Sequence, residues 1–142
     1  MSRKWLVGFA VVSVAWIFVR YGPGQASAQG GYMVQSDSAV AREEPGPHQG
    51  KGMSTGYVFF DKAPGLKFSF RKRVLHPGAS IGYHKQDMDE VYYITGGQGK
   101  MTIDGKEFPA RPGDAFLTRV GSSHGIEQTG PGDLTIIIAF EK

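Results

Sequence analysis

Beyond Thr55 the chain alternates apolar and polar side chains in short runs, each closed by Gly, Pro or Asp. A period of two is the pattern of half-buried strands, and the turn residues cut it before any helix-length segment develops. Phe68, Phe70, Lys72 and Val74 fall on one face of such a run, with Ser69, Arg71 and Arg73 on the other. Asp104-Gly105, between two alternating runs, is a strong two-residue hairpin signal. Strands are expected over 56–60, 67–75, 81–86, 90–95, 99–104, 106–110, 115–118, 124–128 and 133–140. The 142 residues suffice for one domain and not two. The expectation is an all-β sandwich or small barrel.

The most informative stretch runs from Gly78 to Gly97. His84 and Gln86 lie two apart and share one face of a strand. Glu90 follows past a polar turn and opens the apolar run Val91-Tyr92-Tyr93-Ile94. Two strands joined by that turn can aim an imidazole, an amide oxygen and a carboxylate into one space, and a later strand carrying His124 can complete the group. Imidazole with carboxylate suits a mononuclear transition metal. Alternation places Tyr92 and Ile94 inward with Glu90, and Val91 and Tyr93 outward. Tyr92 is then the candidate catalytic residue, with packing as its plainer role. Ile126 and Gln128 share the face of His124, which makes Gln128 a candidate partner behind the site. Phe68, Phe70 and the Ile136/Ile138 side of the last strand are expected to wall the cavity, with Asp87 and Asp89 at its rim. His48 and His76 read as a solvated loop histidine and a turn histidine outside the cluster.

The termini and the charge narrow the function. Residues 1–28 have the form of a secretory signal. Arg3 and Lys4 precede an uncharged run from Trp5 to Val19, and Ala26-Ser27-Ala28 supplies a cleavage site after Ala28. That run spans about 22 Å as a helix, short of the roughly 30 Å hydrocarbon core. A periplasmic or secreted protein is expected, with an uncleaved anchor as the alternative. Residues 29–54 read as a flexible Gly- and Pro-rich arm, and 55–142 as the domain. Without the leader the basic and acidic residues balance, so nothing points to nucleic acid or an anionic membrane as partner. The absence of cysteine excludes disulfides, thiolate metal sites and cysteine nucleophiles.

The segment from about Gly56 to Phe140 resembles the cupin superfamily, small jelly-roll β-barrels. Gly78, His84, Gln86, Glu90 and Gly97 fall at the spacings of its first motif, and Gly113, Gly121 and His124 at those of its second. The intervening segment, 98–112, suits the family's shortest members. Gln86 stands in place of a second histidine, Arg119 in place of a proline and Gln128 in place of an asparagine. The resemblance implies a metal held by His84, Glu90 and His124, with Gln86 as a weaker amide donor. It implies one divalent ion, Mn, Fe, Zn or Ni, a small-molecule substrate, and a possible homodimer.

The expected function is a metal-dependent cupin acting on a small polar molecule, leaning to carbohydrate or carbonyl isomerisation. The alternatives are a non-haem Fe(II) dioxygenase and a non-catalytic cupin that binds a metal or sugar. Arg71-Lys72-Arg73 can attract an anionic substrate, although a solvated strand face is the plainer reading.

Overall fold

The computed structural model describes residues 31–142, and the expected leader lies outside them. A short helix, α1 (Asp37–Val40), leads into β1 (Ala41–Pro45), β2 (Met53–Phe59), β3 (Phe68–Leu75), β4 (Ser80–Lys85) and β5 (Glu90–Gly96). The chain continues through β6 (Gly99–Ile103), β7 (Lys106–Ala110), β8 (Ala115–Thr118), β9 (Ser123–Gln128) and β10 (Leu134–Glu141). Every strand expected from the alternation is present, with ends displaced by no more than 3 residues. α1 and β1 are additional, in the arm whose composition conceals them. Among the described residues no helix is long and apolar enough to cross a membrane.

The strands form two antiparallel sheets, a six-stranded one ordered β1-β2-β3-β10-β5-β8 and a four-stranded one ordered β4-β9-β6-β7. This is the all-β jelly-roll architecture that the sequence suggests. Asp104 and Gly105 both take positive φ (47° and 75°) at the β6–β7 turn, as a tight hairpin with the right twist requires. Pro109 sits in β7, which is an edge strand, so its missing N–H removes no inner ladder bond.

Ile94, Ile136, Leu75 and Leu134 from one sheet meet Met101 and Ile126 from the other, all with no exposed surface. They fill one end of the space between the sheets. β5 alternates as expected, with Glu90, Tyr92 and Ile94 buried and Val91 and Tyr93 outside. β3 alternates too, but its inner face is the opposite of the one expected to wall the cavity. Phe68 and Phe70 are 50% and 36% exposed, while Ser69 and Arg73 are buried. Register decides this. Arg71 and Arg73 lie beside Ile138 and Ile136 of β10, which pair in turn with Tyr92 and Ile94 of β5. Directly paired residues project to one face, so the two arginines follow the aliphatic residues inward.

The basic cluster is thereby divided. Arg73 is buried and pairs with Glu44 of β1 and Ser54 of β2. Lys72 faces the other way, paired with Asp37 and lying over the Tyr57 ring. Arg71 is free of any carboxylate partner among the described residues. It donates from Nε to Ser69 Oγ (3.0 Å), with its guanidinium over the Phe140 ring.

β1 is held by more than its ladder. His76, at the end of β3, reaches Asp133 through Nδ1 (3.1 Å) and Glu43 through Nε2 (3.4 Å), with Thr55 Oγ1 also at 3.1 Å. The Asp133 hydrogen bond, and then Glu43, raise the His76 pKa above the ordinary imidazole value. A raised folded-state pKa adds stability in full below the unfolded value of about 6.5 and loses it as pH rises through the folded value. We expect His76→Gln to lower the melting temperature at about pH 5.5 and to leave it nearly unchanged at about pH 8.5. Equal losses at both pH values, measured by thermal unfolding, would contradict this assignment.

Candidate metal centre

The two sheets contribute different members of one cluster. β4 carries His84 and β9 carries His124, directly opposite each other in the ladder after an irregularity that follows Ile81. Paired positions share a face, so both imidazoles turn inward together. Across the interior, β5 brings Glu90 and β8 brings Thr118, also direct partners. Gln86 lies just past β4, where its backbone N–H donates to Ser122 (2.8 Å) and its carbonyl accepts from Gly121 (2.9 Å). The Gly121-Ser122 turn thus pins it beside His124.

One candidate ligand atom each from His84, Glu90 and His124 lies within 4.8 Å of the others. His84 Nδ1 donates to the Gly82 carbonyl (2.8 Å), which turns the Nε2 lone pair toward the centre. His124 Nδ1 is hydrogen-bonded with Thr118 Oγ1 (2.6 Å), so its Nε2 faces the same spot. A second bond that fixes the tautomer of each imidazole is what metal-binding histidines use. Gln86 Nε2 lies 2.7 Å from Glu90 Oε2, 2.8 Å from His124 Nε2 and 3.1 Å from His84 Nε2. His124 Nε2 itself is 3.1 Å from Glu90 Oε2.

Both imidazole Nε2 atoms and the Glu90 carboxylate oxygen lie within hydrogen-bond reach of the single Gln86 amide nitrogen, so they crowd one point between the sheets. Three such ligand atoms converging on one point suit a divalent cation, which takes their lone pairs. The residues therefore fit the ion expected from the sequence: two imidazoles and one carboxylate as strong donors, and the Gln86 amide, turned to present Oε1, as a weak one.

A cleft of about 690 Å³ opens onto the cluster, lined by His84, Gln86, Glu90, Arg71, Phe140, Met88, Val120, Asp87 and His48 among others. His48 is the residue that sequence reasoning missed. Its ring stacks on His84 with centroids 3.5 Å apart and planes within 5°. Partial burial, then the neighbouring His84 imidazole, lower its pKa from the usual value. No periodicity marks a loop residue; the flanking Pro45-Gly46-Pro47 and Gly50 advertise only a turn.

Other expected residues fall elsewhere. Tyr92 is 2% exposed and does not line the cleft; its ring packs 4.8 Å from that of His124. Burial and then the Glu90 carboxylate hold its phenol well above the usual pKa, hence protonated. Gln128 shares the face of His124 but serves the opposite end. It accepts from Gly78 N–H (2.7 Å) and donates to the carbonyls of Gly130 and Gly132 (2.6 Å each). A partner role behind the site is therefore not its role. Asp87 lines the cleft, whereas Asp89 accepts from Val120 N–H and pairs with Arg119, which holds the loop before β9.

The Thr118 bond gives the first test of this arrangement. Thr118→Val leaves the fully buried His124 Nδ1 without a hydrogen-bond partner, which costs about 1–3 kcal/mol. Urea unfolding should show that loss, with Thr118→Ser recovering most of it. A valine variant as stable as the parent would mean the bond does not orient His124.

Residues 72–140 match the Cupin domain family. An oxalate-binding protein from Thermotoga maritima is 42% identical over 69 residues, 48% of this chain and 57% of that protein. The matched segment is thus little more than half of that relative's length. A solved structure titled a predicted oxalate decarboxylase, also from Thermotoga maritima, superimposes with a TM-score of 0.71 at 33% identity, covering 77% of this chain and 98% of that one. A sugar phosphate isomerase of the cupin superfamily from Silicibacter pomeroyi shares the fold at 20% identity, with a TM-score of 0.57 over 63% of this chain and 59% of that one. Motif spacing, two-sheet topology and these likenesses agree: the chain belongs to the cupin superfamily.

Proposed function

We propose that this protein holds one divalent first-row metal at His84, Glu90 and His124, and binds at that metal a small carboxylate of the oxalate class. The observation that carries the reading is the placement of Arg71. Among the described residues it is the cation on the β3 inner face that no carboxylate pairs with, and it lines the same cleft as the metal cluster. Arg73 is neutralised by Glu44 and Lys72 by Asp37, so neither competes. A guanidinium forms strong, directional hydrogen bonds to a carboxylate. The likeness to an oxalate-binding protein supports the same substrate class.

The chain's own residues divide the work. Arg71 receives one carboxylate, with Ser69 and the Phe140 ring holding its guanidinium in place. Phe140, Met88 and Val120 supply apolar wall beside the guanidinium. Thr118 and Gly82 keep both imidazoles in the ligating tautomer. The bound ion would act as a Lewis acid on the ligand's oxygens. Carbonyl isomerisation with Tyr92 as proton carrier is less well served, because that phenol is buried and does not line the cleft. Export after cleavage at Ala28 belongs to the proposal, resting on the basic start, apolar run and Ala-Ser-Ala of the leader.

Metal analysis of protein purified from cells should give near one equivalent of Mn, Fe, Zn or Ni, removed by His84→Ala. Calorimetry on the manganese-loaded protein should show oxalate binding that Arg71→Ala weakens about tenfold or more. Folded protein that rejects added divalent ions would end the metal reading. Unaltered oxalate affinity in the Arg71 variant would end the carboxylate assignment alone.

A further inference from the structure

The two histidines of the cluster are not equally supported. His124 has no exposed surface, is bonded by Thr118 and packs against the Tyr92 ring. His84 lies half-buried at the cleft mouth, beyond the irregularity in β4. Among the described residues its one hydrogen bond outside the cluster goes to the Gly82 carbonyl, and its ring meets that of His124 edge-on at 4.9 Å. The outer face of His84 is covered by a residue from the arm, His48.

That cover is built in. His48 and Gln49 both take left-handed backbone, φ 52° and 60°. Two successive L residues in that region are unfavourable and persist where the surroundings hold them. The holding contacts are present. Gly82 N–H and Gly50 N–H both donate to the Pro47 carbonyl (2.9 Å each), and Ser80 N–H donates to the Lys51 carbonyl (3.0 Å). Gly82 has no side chain, and a Cβ there would collide with the His48 carbonyl oxygen. β4 thus leaves a gap into which the arm's backbone fits, and the fit lays one imidazole flat on another.

We propose that His48 is a positioning residue of the metal centre: its ring, stacked on His84, fixes the plane of that imidazole so that Nε2 keeps facing Glu90 and His124. The inference rests on the metal reading above. It requires a flat ring at position 48, and no hydrogen bond from it. With parallel planes, His48 lies alongside His84 and does not converge with it on the same point.

Cobalt(II) binding to the full chain tests this, followed by calorimetry and by the visible ligand-field bands. His48→Ala should weaken cobalt binding about tenfold, the scale of one lost aromatic pair, and shift the bands. His48→Phe, which keeps a flat ring without its nitrogens, should restore both. Circular dichroism should show the parental fold in both metal-free variants, so that a loss of affinity reports the ring and not unfolding. His48→Ala with parental affinity and spectrum would overturn the proposal, and so would His48→Phe behaving like His48→Ala. Parental protein that takes up no cobalt would instead overturn the metal reading on which this one stands.

Discussion

The site depends on the register of two antiparallel pairs. His84 stands opposite His124 in the β4–β9 ladder, and Glu90 opposite Thr118 in the β5–β8 ladder of the facing sheet. A slip of one residue in either ladder sends a donor to solvent. The hydrophobic pattern resists such a slip, because Ile81 and Ile126 on the same two strands, and Tyr92 and Ile94 on β5, would leave the core with it. The aliphatic end of the sandwich thus fixes the polar end. Burying a carboxylate with two imidazoles is unfavourable in itself. It is sustained because the layers beneath it cannot shift without exposing several fully buried side chains.

This explains what could be read from the chain. Strict alternation in β5 gave the inward set Glu90, Tyr92 and Ile94, and the His-x-Gln spacing with the distant His124 gave the cluster. Both follow from the two-residue period of a strand. Alternation alone is silent about which of two faces is inner when both carry bulky groups. On β3 the aromatic face looked like core, yet the register with β10 sets Ser69, Arg71 and Arg73 inside. Arginine can face inward where its stem packs and its head finds a partner. Arg73 finds Glu44, which belongs to β1. Since β1 lies in a stretch whose composition signals a linker, the partner that makes the inner face tolerable could not be seen beforehand.

The same stretch conceals His48. Its role depends on contacts between loop backbone and strand backbone, where Gly82 leaves room for the His48 carbonyl. Such contacts carry no periodic signature, and the glycines that permit them read simply as turns. Tyr92 shows a different limit. It points inward as its place on β5 requires, but its ring packs against that of His124 and does not line the cleft. Depth along a strand separates a wall residue from a supporting one, and a two-residue period does not encode depth.

The arm therefore links the two ends of the molecule. At one end β1 is tied by Glu43 to His76, which also bonds Asp133, and by Glu44 to buried Arg73. A few residues later the same segment lays His48 over the cluster. Arg73 needs Glu44 to offset its buried charge, so removing β1 would leave a cation unpaired inside the sandwich, which is among the more destabilising changes a domain can suffer. The attachment that keeps β1 in the sheet is consequently also what keeps the ring at the cleft mouth. Stability at the arm and geometry at the centre are coupled through a single continuous stretch of chain, from Glu43 to Gly52.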